Sequence, residues 1–476
     1  MVSIPDTLKT QYGHKIKTLE GLREAIGPRP RQQRVIMCHG TFDIVHPGHL
    51  RHLMYAKEKA DLLVASLTGT SVEFYDFYIF ATAASLVFGP LFFGGFEASS
   101  QLIWSYALLG LAFVSRPLGA WAFGHFGDRI GRKSTLVASL MVMGMSTLLI
   151  AFLPSYESAG WIGALLLAVL RFGQGFGLGG EWGGAALLAV ENAPPHMRGR
   201  YGMFPQLGAP VGFIAANGLF LILGVLMTQQ QFMEWGWRLP FLGSAVLVGV
   251  GLWVRLKLAE TPAFRAALAE AEPAKVPIAE LFREHLVPTV AGTFAAVACF
   301  ATYYLATAFA LGYATKTLGV AKEVFLGVQL VTILFMAAGI LLAGWWSDVR
   351  SPRYVLIAGS IGTVLTGLLL GPMFAGGDLA PIFSWLALAL FMMGFVYGPL
   401  GAFLPSLFPP RVRYTGASMT FNIAGILGAA PVPAVAQYLA ERGGLGFVGY
   451  YLSASASVSL AALWWSRHHD KRAIAA

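Results

Sequence analysis

Gly124-His125-Phe126-Gly127-Asp128-Arg129-Ile130-Gly131-Arg132-Lys133 lies between two apolar stretches, about 100–124 and 134–153. Each is about as long as the roughly 20 residues a helix needs to cross a hydrocarbon core. Small residues let two such helices turn tightly into one another. Asp128 can accept hydrogen bonds from the N–H groups of a neighbouring helix N-terminus, while Arg129 and Arg132 can pair with carboxylates at a gate. Topology-setting positive charge is the other use of those arginines. A second, degraded copy, Gly344-Trp345-Trp346-Ser347-Asp348-Val349-Arg350-Ser351-Pro352-Arg353, keeps Asp348 and Arg350 and lacks the second motif glycine.

Outward from these loops the chain divides into two sets of six apolar stretches. The first set covers about 72–94, 100–124, 134–153, 160–190, 201–228 and 238–258; the second covers about 286–314, 323–346, 353–374, 381–407, 413–439 and 445–465. The two loops occupy equivalent places, which reads as an internal repeat. The fold class expected is an all-α polytopic membrane protein of about twelve helices in two six-helix halves. The organisation expected is 1–68 cytosolic, 69–259 the first half, 260–285 a connection, and 286–476 the second half and tail. Composition agrees, since 476 residues that are 56% hydrophobic and 12% charged exceed what soluble domains hide. Lipid is the solvent that resolves the excess.

Lys and Arg concentrate in alternate loops, at Arg129, Arg132 and Lys133, at Arg198 and Arg200, at Arg265, Lys275 and Arg283, at Arg350 and Arg353, at Arg411 and Arg413, and in the tail. The intervening loops offer Lys316, Lys322 and Arg442. Basic loops resist translocation, so both termini are expected in the cytoplasm of a cell with the chain in its plasma membrane. The formal charge of +9 is read in the same way and not as a nucleic-acid surface. Cys38 and Cys299 give neither a disulfide framework nor a metal-ligand spacing, and no cofactor or metal is expected.

The complete loop at 124–133 resembles the hallmark of the major facilitator superfamily. Further segments are similar to its metabolite:proton symporter family: Gly69-Thr-Ser-Val-Glu73-Phe-Tyr75-Asp76-Phe, Ser115-Arg116-Pro117-Leu-Gly119, the run from Arg171 through Gln174 to Glu181 and Trp182, Trp237-Arg238-Leu-Pro240-Phe, and Glu260-Thr-Pro262-Ala-Phe. The resemblance covers nearly all of 69–466. It implies alternating access and proton coupling, with a solute among proline, betaine, dicarboxylates, citrate, 2-oxoglutarate and shikimate. The chain is then a monomeric transporter and not an enzyme, and its partners are a small organic solute, a proton and the bilayer.

The residues themselves point to where coupling lies. Glu73, Asp76, Arg116, Arg171 and Glu181 are ionisable groups inside apolar spans, each costing roughly 2.5–3.5 kcal/mol near the membrane centre. Arg171, Gln174, Glu181 and Trp182 recur at helical spacing and share one face. Glu73 and Asp76 are i, i+3 neighbours, and two carboxylates so close in a low dielectric favour holding a proton on one of them. Asp76 is therefore expected to carry the proton against Arg171, with Arg116 as an anion clamp, since a guanidinium fork grips both oxygens of a carboxylate. Tyr75, Gln174, Trp182, Tyr303, Tyr304 and Asn422 are expected to line the solute site. A buried ion network that only holds the first half together is the alternative use of Asp76, Arg171 and Glu181.

Before the first span stands Arg34-Val-Ile-Met-Cys38-His39-Gly40-Thr41-Phe42-Asp43-Ile-Val-His46-Pro47-Gly48-His49, followed by an amphipathic stretch and by 61–66, Asp-Leu-Leu-Val-Ala-Ser. The order reads as strand, Gly-rich turn, helix and strand, although 61–70 also reads as the start of the first spanning helix. The segment resembles the cytidylyltransferase-like nucleotidyltransferases, in particular the adenylyl-transferring half of ADP-heptose synthase, in which His46, Gly48 and His49 would hold nucleotide phosphates at a helix N-terminus. It lacks that family's remaining layers and is expected to be a truncated remnant. A membrane-tethered nucleotidyltransferase and a hybrid that performs neither task are the two alternatives to a transporter.

Overall fold

The computed structural model describes residues 47–130, 132–179, 181–257, 277–409 and 412–468. Side chains are described for most of these, and not for 47–66, 99, 124–136, 181, 188, 247, 251, 254–257, 277–279 or 468. Residues 65–476 form one compact unit, and 1–64 another.

Among the described residues twelve helical passes follow in order. The first half holds α1 (Pro47–Leu86), α2 (Ala98–Ile130), α3 (Arg132–Ile150), α4 (Trp161–Leu178 continued by Glu181–Glu191), α5 (Arg198–Gln206 continued by Gly208–Leu226) and α6 (Leu239–Lys257). The second half holds α7 (Leu286–Tyr304, a π turn at Leu305–Phe309, then Ala310–Lys316), α8 (Lys322–Val349), α9 (Pro352–Phe374), α10 (Leu379–Ser406), α11 (Arg413–Gly428 continued by Val432–Gly443) and α12 (Leu445–Trp465). Among the described residues, nine helices are long and apolar enough to span a membrane, and shorter apolar helices lie in α3 and α6. In α1 the buried acids Glu73 and Asp76 lower the hydropathy of a helix that is otherwise apolar from Val72 onward. Leu165, Val169, Leu226, Val246 and Leu365 remain exposed on the outside of the bundle, as lipid-facing residues must.

The described part of the expected strand-helix-strand unit is different. Residues 47–66 are continuous helix, so 61–66 belongs to α1 and is not a strand. No turn residue separates it from Leu67, and among the described residues there is no strand with which it could pair.

Within the first half α2 packs on α4, and α3 on α4 and α6; within the second, α8 packs on α10, and α9 on α10 and α12. The halves meet where α5 runs along α8 and α10 and where α2 meets α11. One crossing positions the chemistry. A Cβ on Gly175 would overlap the carbonyl oxygen of Ala112, and one on Gly179 that of Arg116. Two backbones touch there because small residues let them. Arg171, one turn before Gly175, and Arg116, one turn after Ala112, are thereby brought to the same region between α2 and α4.

Candidate functional site

The two guanidiniums share one ring. Arg171 stands 4.2 Å from the Phe77 centroid and 3.9 Å from that of Phe80, while Arg116 stands 4.5 Å from Phe77 and 4.4 Å from Phe113. Aromatic faces attract a desolvated cation and offset part of its burial cost. The polar contacts of the two differ. Arg171, fully buried, donates from Nη1 to Gln174 Oε1 at 2.9 Å and from Nη2 to the Leu109 carbonyl at 3.4 Å. Arg116 makes no hydrogen bond and no ion pair with the described residues, its buried Nε being without a partner, and it lies in the electrostatic reach of Tyr304, Tyr78, Tyr397 and Glu73. Its fork is free to grip a ligand.

Asp76 is 1% exposed, and neither of its carboxyl oxygens has a hydrogen-bond partner. The ion pair expected with Arg171 is not formed, because Phe77 and Phe80 wall the guanidinium while Gln174 and Leu109 occupy its fork. Beside it stands Thr147 of α3, whose hydroxyl donates to the Met143 carbonyl at 2.9 Å and accepts from Gln174 Nε2 at 2.7 Å. Glu73 is also buried and faces both Asp76 and Arg116 across a short distance. Gln174, expected at the solute site, joins α3 and α4 and supports Arg171. The side chain of Glu181 lies outside the described residues.

Toward the end that carries the basic loops, the halves close on each other. Trp182 of α4 stacks on Phe421 of α11 with ring centroids 3.7 Å apart and planes 4° from parallel. Its Nε1 donates to Gln206 Oε1 at 3.0 Å, and Gln206 Nε2 donates to the Tyr397 carbonyl of α10 at 3.1 Å. Asn422 Nδ2 donates to the Gly179 carbonyl at 2.9 Å. Farther out, Asp348 at the end of α8 caps α5: Gly199 N donates to Oδ1 at 2.6 Å, and Arg200 donates to Oδ2 from its backbone N at 3.2 Å and from Nε at 2.7 Å. The carboxylate meets a helix N-terminus, whose unpaired N–H groups favour a negative charge. Arg350 is exposed. In the first copy, Gly131 lies outside the described residues, as do the side chains of Asp128, Arg129 and Arg132; Gly124 is described only as backbone of α2. His46 too lies outside them, and Gly48 and His49 are described only as backbone of α1.

At the opposite end, Tyr106 and Ser85 donate to one carbonyl, that of Ala308 in the π turn of α7, at 2.9 and 3.2 Å. Lys322 donates to Gln229 Oε1 at 2.8 Å and lies 3.8 Å from the Phe232 centroid. Between the two closures an aromatic compartment holds Tyr304, edge-on to Phe113, and Tyr303, stacked on Tyr78 at 5.1 Å. It continues into a narrow cavity lined by Tyr78, Thr82, Asn217, Tyr303, Thr307 and Gln329. Tyr303 and Tyr304 thus line the compartment, whereas Tyr75 turns to α6 and donates to the Pro240 carbonyl at 2.8 Å. Tyr78, Asn217 and Gln329 were not anticipated. Their uncharged groups cost little in an apolar span, so they do not stand out there as Arg116 does.

Three comparisons bear on this arrangement. The model of the "Sugar (and other) transporter" family matches residues 62–281. The "Inner membrane metabolite transport protein YhjE" of Escherichia coli (strain K12) is 47% identical over 407 residues, which is 84% of this chain and 92% of that protein. The "Shikimate transporter" of the same organism is 34% identical over 83% of this chain and 92% of that protein. In fold, the chain is similar to a crystal structure of a D-xylose-proton symporter, with a TM-score of 0.66 and 17% identity over 86% of this chain and 97% of that one. With two six-helix halves closed around a buried polar centre, and with relatives this similar along most of their length, the chain belongs to the major facilitator superfamily of metabolite transporters.

Proposed function

We propose that the chain is a proton-coupled symporter of a small organic anion, working by alternating access in the inner membrane with both termini cytoplasmic. One observation carries this: the first half buries a carboxyl, Asp76, and a guanidinium, Arg116, neither of which has a hydrogen-bond partner. An isolated buried charge costs several kcal/mol. A proton on Asp76 removes that cost at one group, and a carboxylate on Arg116 removes it at the other, so each cargo stabilises a site made for it. The Arg171–Gln174–Thr147 chain links α4 to the neighbourhood of the acid, so movement of α4 would be felt at Asp76. Glu73 and Glu181 are assigned to the same coupling network.

Alternating access follows from closures at both ends. The Asp348 cap, the Trp182–Phe421 stack and the Asn422 bond must part for the site to open to the basic end, and the Ala308 contacts must part for the other. The 69–259 and 286–476 halves are the moving bodies, and one chain suffices for the cycle. The family resemblance and the relatives, which include shikimate and proline/betaine transporters, support a carboxylated solute. The nucleotidyltransferase-like motif before the transporter rests on sequence alone, and no step is assigned to it. Uptake of labelled carboxylates into proteoliposomes under an imposed proton gradient tests the reading. Accumulation that collapses with a protonophore is expected, and gradient-independent entry for every solute would sink it.

A further inference from the structure

The neutral half of the compartment specifies the far end of the solute. Tyr303 and Tyr397 are 3% and 2% exposed, and neither hydroxyl has a hydrogen-bond partner. Thr307, beside Tyr303, spends its own hydroxyl on the Tyr303 carbonyl at 2.6 Å. A buried hydroxyl left unmatched is costly, and native structures leave few of them. Tyr303 opens onto the cavity whose other polar walls are Tyr78, Thr82, Asn217, Thr307 and Gln329. All are uncharged donors and acceptors. Among the described residues of α7 to α12, no Lys or Arg is buried.

Both buried guanidiniums are stacked on rings, but among the described residues Arg171 is engaged at its fork by Gln174 and the Leu109 carbonyl whereas Arg116 is not, so Arg116 is the buried cation offered to a ligand. A second carboxylate would therefore enter a cavity without a counter-charge, which burial penalises heavily. A quaternary ammonium head meets the converse obstacle, since both guanidiniums already lie over Phe77, the ring at the centre of the compartment. Resting on the anion reading above, we infer that the solute is a hydroxylated monocarboxylate, its carboxylate on Arg116 and its hydroxyls matched by Tyr303, Tyr397 and the Asn217–Gln329 cavity.

The purified full chain in detergent, titrated calorimetrically with matched acids, tests this. The probes are shikimate and D-gluconate, their hydroxyl-free counterparts 1-cyclohexenecarboxylate and hexanoate, the dicarboxylate fumarate, and glycine betaine. At least one hydroxylated acid should bind ten-fold or more tightly than its counterpart, and more tightly than fumarate or betaine, since each matched hydroxyl contributes a several-fold gain. Tyr303→Phe and Tyr397→Phe should each shrink that ratio to three-fold or less, whereas Arg116→Gln should abolish binding of both members of a pair. Equal binding within every pair, or a ratio unmoved by both tyrosine substitutions, overturns the inference. Tightest binding of fumarate overturns it too but leaves the anion reading standing; binding of betaine with no binding of any acid removes both.

Discussion

Asp76 concentrates the residue-scale question, because its carboxyl is buried and neither of its oxygens has a hydrogen-bond partner. If it carries the proton, Asp76→Asn should retain solute exchange across proteoliposomes and lose accumulation driven by a proton gradient. Unimpaired accumulation would refute the assignment. Arg116→Lys is expected to weaken solute binding by ten-fold or more, since an ammonium cannot grip both carboxylate oxygens. Tyr75→Phe gives the contrast. Its hydroxyl bonds Pro240 outside the compartment, so a stability loss of about 1 kcal/mol and an unaltered solute ranking are expected in thermal unfolding and uptake. The candidate ions were legible in sequence because a charge in an apolar span is conspicuous. Their pairing was not, since spacing on one helix does not reveal that Arg171 lies over Phe77 and Phe80 and spends its fork on Gln174 and the Leu109 carbonyl.

At the scale of the element, the hydropathy pattern located the helices to within a few residues from 98 onward. The path before α2 was ambiguous, since 61–66 carries apolar residues that suit a strand and a helix alike. The α2–α4 crossing depends on Gly175, where even a Cβ would overlap the Ala112 carbonyl. Gly175→Leu should therefore force the two helices apart, lowering the unfolding temperature by several degrees and abolishing solute binding. Gly218 in α5 has open space around its Cα, so Gly218→Ala should be neutral or slightly stabilising in the same melt. The π turn in α7 left no mark that periodicity could expose, for it depends on a distant residue: Gln329 of α8 donates to the carbonyls of Ala306 and Thr307 at 3.0 and 2.9 Å. Trp182 and Asn422 were read as cavity walls for a similar reason. Their partners, Phe421 and Gly179, lie in the opposite half.

For the molecule as a whole, closure at the basic end depends on contacts between halves that water would otherwise satisfy. Asp348→Asn removes the charge that caps α5 and pairs with Arg200, so the closed form should lose part of its advantage. A reporter thiol at Ser418, a buried position against Gly183, should then react faster with a membrane-impermeant maleimide applied from that end, in a background with Cys38 and Cys299 replaced by serine. Unchanged reactivity would show that the cap does not govern opening. The count of unpaired acids sets an electrical consequence. Asp76 is the one carboxyl among the described residues that is buried without a hydrogen-bond partner, and Arg116 offers one seat for an anion. One proton accompanying one monoanion carries no net charge across the bilayer. Voltage, which acts with about 2.3 kcal/mol per 100 mV on every uncompensated elementary charge, would then have nothing to push. A potassium diffusion potential imposed with valinomycin should leave uptake unchanged, and the pH difference alone should set how far the solute climbs.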